Sequence, residues 1–143
     1  MNITEVVQTL QKSENYKELE KWLTGTSKAL KIGGTQGSAP ALLMHTAQIT
    51  ANLPAVYVLH DAEEAGYFFN DLCQLSPQGV FYFPSSYKKK IKDGLTKDAP
   101  NQVLRTEALG ALQGDAPVTI VTYPEALTEL VIAPSLLAKK PYN

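Results

Sequence analysis

The sequence predicts an α/β domain: a mainly parallel sheet with helices on both faces. Three observations carry that expectation. Short apolar runs of strand length alternate four times with stretches of helical spacing, the order that builds parallel sheets. A glycine-rich turn, residues 34–41, falls between the first apolar run and the helical stretch after it. And 143 residues, 44% of them hydrophobic and 19% charged, make one domain's worth of chain, enough to bury a core.

The elements follow in order. Ile3, Val6, Val7 and Leu10 share one helical face, and Tyr16, Leu19, Trp22 and Leu23 repeat the spacing until Gly25 ends it. This N-terminal helical segment, residues 1–27, reads as two short helices or one broken near Ser13. Ala29, Leu30 and Ile32 form the first apolar run, expected as a strand. The helix after the glycine turn runs from Ala41 to Asn52 and stops before Pro54. Residues 55–60 are β-branched and aromatic enough for a buried strand. Asp61 is the expected N-cap of the next helix, with Glu64 completing a capping-box pattern, and that helix continues through Leu75. Val80 to Phe83 is a third strand ended by Pro84, and a polar, lysine-rich loop leads to Pro100. Val103, Leu104, Ala108, Leu109 and Leu112 then make a helical stripe. Val118 to Thr122 is the fourth strand. Pro124 opens a last helix through Leu127, Leu130 and Val131, and from Pro134 the pattern fades.

Composition narrows the function. A formal net charge of -1 provides no global attraction for nucleic acid or an acidic membrane surface. The single cysteine, Cys73, sits in a helical pattern beside Leu72 and Leu75, where a buried small hydrophobe is expected. It permits no internal disulfide and no cysteine metal site, which suits a reducing cytoplasm. The first residues carry no signal-segment pattern, and no apolar run approaches a membrane span.

The glycine turn has the outline of a phosphate-binding P-loop without its chemistry. A working loop reads G-x-x-x-x-G-K-[ST] between a strand and a helix. Gly34 fits the first position and Gly37 and Ser38 follow, but Ala39, Pro40 and Ala41 stand where Gly, Lys and Ser/Thr belong. The lysine would place a cation on the β/γ-phosphates and the hydroxyl would bind Mg²⁺. Pro40 also removes a backbone N–H from the helix start that would cradle phosphate. An ordinary strand-to-helix turn accounts for the same glycines, with Ser38 as N-cap and Pro40 near N1.

The remaining candidates are weaker. His45 falls inside a helical pattern, and His60 sits at a strand end beside Asp61 with no nucleophile motif nearby. Asp61, Glu63 and Glu64 fall in a first helical turn, where the helix dipole accounts for them. Lys88, Lys89, Lys90 and Lys92, with Tyr87, form the basic patch, which could meet nucleic-acid phosphates or an acidic protein surface. Only Tyr87 offers stacking, so a solvated loop is the preferred reading.

Taken in order, several stretches resemble the N-terminal domain of the bacterial transcription-repair coupling factors (Mfd), which is similar to the first domain of the excision-repair protein UvrB. They are residues 32–41 (IGGTQGSAPA), 58–65 (VLHDAEEA), 83–87 (FPSSY), 104–109 (LRTEAL) and 120–127 (IVTYPEAL). The resemblance covers residues 28–133, and the Ser85-Ser86-Tyr87-Lys88 form looks most like coupling factors of the Bacteroides group.

The resemblance implies a degenerate P-loop NTPase-like domain over 28–133, with 134–143 a linker toward an inserted domain. Coupling factors are ATP-driven DNA translocases that displace stalled RNA polymerase and recruit UvrA for nucleotide excision repair. The ATP, Mg²⁺ and DNA chemistry belongs to their motor domains. This domain would then be a cytoplasmic, non-catalytic scaffold with no cofactor of its own, meeting the other domains of the same protein. UvrA and RNA polymerase would be reached through the parent, and no membrane is involved. Pro40 and Ala41 mean that ATP hydrolysis is not carried over. The short segment between Pro84 and Pro100 means that UvrB's DNA-gripping hairpin is not carried over either. The alternative is the nucleotide-binding half of a DNA or RNA helicase with a divergent loop that still binds. A plain nucleic-acid-binding module using Lys88 to Lys92 is a third reading.

Overall fold

A computed structural model describes residues 2–26, 28–76, 78–90 and 94–137. Two short helices open it, α1 (Ile3–Gln11) and α2 (Glu14–Leu23). The break between them is chemical: the Ser13 hydroxyl accepts from the Tyr16 amide at 3.2 Å and starts a new helix. Asn2 and Glu5 close a reciprocal capping box on α1. Both helices pack on α3 (Ala39–Ala51), where Tyr16, Leu19 and Ala47 form a small core. The Tyr16 hydroxyl reaches Thr50 Oγ1 at 2.9 Å, which satisfies its polar end inside that core.

Three strands, β1 (Ala55–Val58), β2 (Val80–Phe83) and β5 (Thr119–Thr122), form a parallel sheet in the order β1-β5-β2. The central strand β5 is buried at every position. Helix α4 (Ala62–Leu75) covers the face carrying Tyr57, Val121 and Tyr82: Phe68 meets Tyr57 at 5.1 Å between ring centroids, and Phe69 stacks on Tyr82 at 5.3 Å. Helix α5 (Ala99–Ala111) packs on β2 from the other face, its Arg105 lying over Phe83. The molecule is therefore α/β, with a small parallel sheet flanked by helices. The β1 part of the α5 face is open, leaving Val56 and Val58 exposed, so β1 is a half-exposed edge strand rather than the buried strand expected.

Four further expectations are corrected in the fold. Residues 29–32 form no strand; Leu30 and Ile32 are exposed, and a groove of about 440 Å³ joins them to Tyr16 and Leu19 of α2. The central strand already has a neighbour on each side, so a further strand would have to extend an edge of the sheet. The lysine-rich loop is a hairpin, β3 (Tyr87–Lys90) paired antiparallel with β4 (Gly94–Lys97). The helix expected from Pro124 through Val131 is a single turn, α6 (Pro124–Leu127), after which Leu130, Val131 and Ile132 are exposed. Cys73 is half-buried rather than buried, and partial burial raises its thiol pKa. A short helix α7 (Pro134–Leu137) follows, and among the described residues no helix is long and apolar enough to cross a membrane.

Candidate functional site

Gly34 and Gly37 hold φ of 79° and 57°, the left-handed region that glycine enters without steric cost. The turn is real, and its chemistry is local. Ser38 occupies the N-cap position of α3, yet its own φ and ψ are helical and its side chain makes no cap bond, which corrects the expected role. The cap geometry fails because an N-cap oxygen reaches the N2 or N3 amide from an extended residue. Pro40 sits in the first turn of α3, as expected. Ala41, at the position of the Walker hydroxyl, is 1% exposed and belongs to the main core with Ala65 and Leu72. Small size at Ala41 thus serves the α3–α4 contact.

The hairpin places Tyr87 opposite Lys97 and Lys88 opposite Thr96, with Lys89 and Lys90 following along β3. Tyr87 is exposed. Lys92 lies outside the described residues. His60 and Asp61 fall at the carboxyl end of β1, where Asp61 caps α4 by accepting from the Glu64 amide at 2.8 Å. Glu64 reaches back to the His60 amide at 2.9 Å, one residue earlier than in a strict capping box. That polar set serves the helix start. Burial lowers the pKa of His45, which keeps its imidazole neutral near pH 7. Among the described residues no cluster of three or more His, Cys, Asp or Glu is arranged to hold a metal ion.

The most concentrated polar chemistry lies elsewhere, at the carboxyl ends of β2 and β5, where ligands sit in parallel sheets. Strand β2 runs into Pro84-Ser85-Ser86, and β5 into Tyr123 and the α6 turn. Glu129, just after that turn, directs its carboxylate at the two serines. Both serine hydroxyls donate to it, and the Ser86 amide donates to its two oxygens at 3.1 and 3.0 Å. Arg105 Nη1 stands 3.6 Å from Glu129 Oε2. The same nitrogen donates to the Pro84 carbonyl at 2.8 Å and the Ala126 carbonyl at 3.0 Å. Its guanidinium carbon lies 4.0 Å from the centre of the Phe83 ring, a cation–π contact in a site shielded from water.

Electrostatics follow from these contacts. Desolvation pushes the Glu129 carboxyl up, but the hydrogen bonds from Ser85 and Ser86, with Arg105 beside it, outweigh this and hold it below its ordinary value. Burial lowers the Arg105 pKa against the opposing pull of Glu129 and Tyr123. Burial, with Tyr123 nearby, pushes Tyr82 up to about 12. Ser85, Ser86, Arg105 and Glu129 lie up to 44 positions apart and meet only because β2, α5 and β5 are neighbours. No local pattern marks them, although Ser85, Ser86 and Arg105 fall within stretches that carry the family resemblance.

No protein-family model matches this chain, and the comparison with curated proteins returns no match either.

Proposed function

We propose that this chain is the non-catalytic N-terminal scaffold domain of a transcription-repair coupling factor, built on a degenerate P-loop NTPase-like fold. One observation carries the reading: the glycine turn keeps its left-handed residues while the positions that would do phosphate chemistry, Pro40 and Ala41, serve helix start and core. A phosphate-binding helix start presents free N–H groups and the motif's lysine; here Pro40 removes one N–H and stands in the lysine's position. The ordered series of resembling stretches supports the choice of family. The parent translocase would supply ATP, Mg²⁺ and DNA chemistry from its motor, and contact with RNA polymerase and UvrA from other domains.

The exposed β1 face with Val56 and Val58 is where such a scaffold would meet the rest of its own polypeptide. Mixing the chain with a coupling factor that lacks its N-terminal domain tests this by size-exclusion chromatography. Co-elution that is lost in the Val56→Asp/Val58→Asp variant is the expected result. Failure of the unmodified chain to co-elute would contradict the scaffold role, and retention of UvrA by this chain alone would show that it is itself the recruiting surface.

One observation favours a second reading, a nucleic-acid contact: the Tyr87–Lys90 segment is an extended strand of a hairpin rather than a loop. That reading requires low-salt DNA retardation that disappears when Lys88, Lys89 and Lys90 become Glu. Unchanged DNA mobility removes it.

A further inference from the structure

The bonds around Glu129 have the form of a ligand in a binding site, except that the ligand belongs to the chain. Two hydroxyls and one amide donate to one carboxylate, and a guanidinium stands 3.6 Å from it. The donors are held by partners of their own. The Ser85 amide donates to the Tyr123 hydroxyl at 2.8 Å, and the Ser85 carbonyl accepts from the Asn101 side chain at 2.8 Å. The Ser86 carbonyl accepts from the Asp98 amide at 2.8 Å, and Arg105 is anchored on two carbonyls. Removing Glu129 would leave this arrangement standing. Such preorganisation is what separates a binding site from a chance contact.

Two further features point to exchange. Arg105 is 6% exposed, and its Nη2 has no hydrogen-bond partner among the described residues, so the guanidinium has donor capacity that Glu129 leaves unused. Glu129 is also lightly held by its own backbone. It follows a one-turn helix, and the next residue, Leu130, is fully exposed. Beside the site a groove of about 330 Å³ runs between Ser86, Arg105 and the Leu130–Ile132 segment, with room for the body of a ligand whose acidic end enters the donor cluster.

We propose that Ser85, Ser86 and Arg105 form an oxyanion-binding cradle, that Glu129 fills it as an intramolecular ligand, and that a carboxylate or phosphate group from outside the chain takes its place when the Glu129 segment withdraws. The two oxygens of Glu129 stand in for those of the incoming group. The segment from Glu129 to Ile132 is then a latch whose position reports occupancy. The inference does not depend on the coupling-factor reading: it concerns the carboxyl ends of β2 and β5 rather than the glycine turn, and it holds or fails whichever protein the domain serves.

Thermal unfolding of the Glu129→Ala variant, in formate, in inorganic phosphate and in chloride at matched ionic strength, tests it. Formate or phosphate should raise the melting temperature of Glu129→Ala saturably, by about 4–6 °C at tenfold excess over half-saturation. Chloride should do nothing, and the unmodified chain, already filled, should not respond. The formate and phosphate arms decide whether a planar or a tetrahedral oxyanion fits better. Adding Arg105→Met to the variant should abolish the response. If truncation prevents folding, Glu129→Asp carries the same test, because a carboxylate one methylene short leaves the cradle partly open. No response in the variant that folds, or an equal response in the unmodified chain, overturns the proposal.

Discussion

Replacing Arg105 by methionine should be among the most destabilising single changes in this domain. Methionine keeps an unbranched apolar stem of similar reach, so the change chiefly removes the guanidinium. That removes charge-assisted donors at 2.8 Å from the Pro84 carbonyl and 3.0 Å from the Ala126 carbonyl, together with the cation 3.6 Å from Glu129. A hydrogen bond to a charged group contributes roughly 1.5–3 kcal/mol, and stranding the partners of a buried charge costs about 3–5 kcal/mol. Glu129 keeps its serine donors, which offsets part of the loss, and the Phe83 ring loses a contact of about 1 kcal/mol. The expected cost is about 3 kcal/mol, set against a total stability on the order of 5–15 kcal/mol. Urea unfolding followed by circular dichroism measures it, with the m-value unchanged. Arg105→Lys should cost less, because an ammonium keeps the charge and three donors, while losing the planar guanidinium's contact with Phe83. A cost below about 1 kcal/mol for Arg105→Met would refute the reasoning: desolvation of the guanidinium would then cancel what its bonds contribute.

Two other outcomes follow from the same geometry. Because the folded pKa of Glu129 lies below its unfolded value, its contribution is present above the ordinary carboxylate range and is lost as pH falls through the folded value. The urea midpoint of the unmodified chain should therefore fall more steeply below pH 4.5, roughly the unperturbed Glu value, than that of Glu129→Gln; parallel curves would remove the ion from the account. In the glycine turn, Gly34→Ala should cost about 1 kcal/mol because its φ is 79°, while Gly33→Ala, with nothing within 4 Å of an added Cβ, should be near neutral. Equal effects in thermal melts would show that the turn is not held in the left-handed conformation described.

Much of the fold was legible because local chemistry specified it. Ser13 breaks the N-terminal helix where a hydroxyl can cap, Asp61 caps α4, and β2 ends where Pro84 withdraws its N–H. The misreadings share a cause: they turn on what an element has to pair or pack with. Leu30 and Ile32 alternate like a strand, but alternation supplies no neighbour, and the segment lies beside α2 instead. Three consecutive lysines read as a loop, yet pairing with Gly94–Lys97 makes them strand. Leu130 and Val131 continue the α6 spacing, but the Glu129 carboxylate is bonded to Ser85 and Ser86, and the apolar residues that follow stay exposed. The oxyanion cradle was invisible for the same reason, since its donors converge only through the β2–β5 pairing and the packing of α5.

The proposed reading is that the glycine turn is the remnant of a motor's P-loop, kept without its preceding strand and without its chemistry. Calorimetric titration of the chain with ATP and Mg²⁺ tests it most directly. The account expects no saturable heat at millimolar nucleotide and no phosphate release. Micromolar binding that disappears when Gly34 and Gly37 are replaced, or any turnover, would contradict it and make this a working nucleotide site.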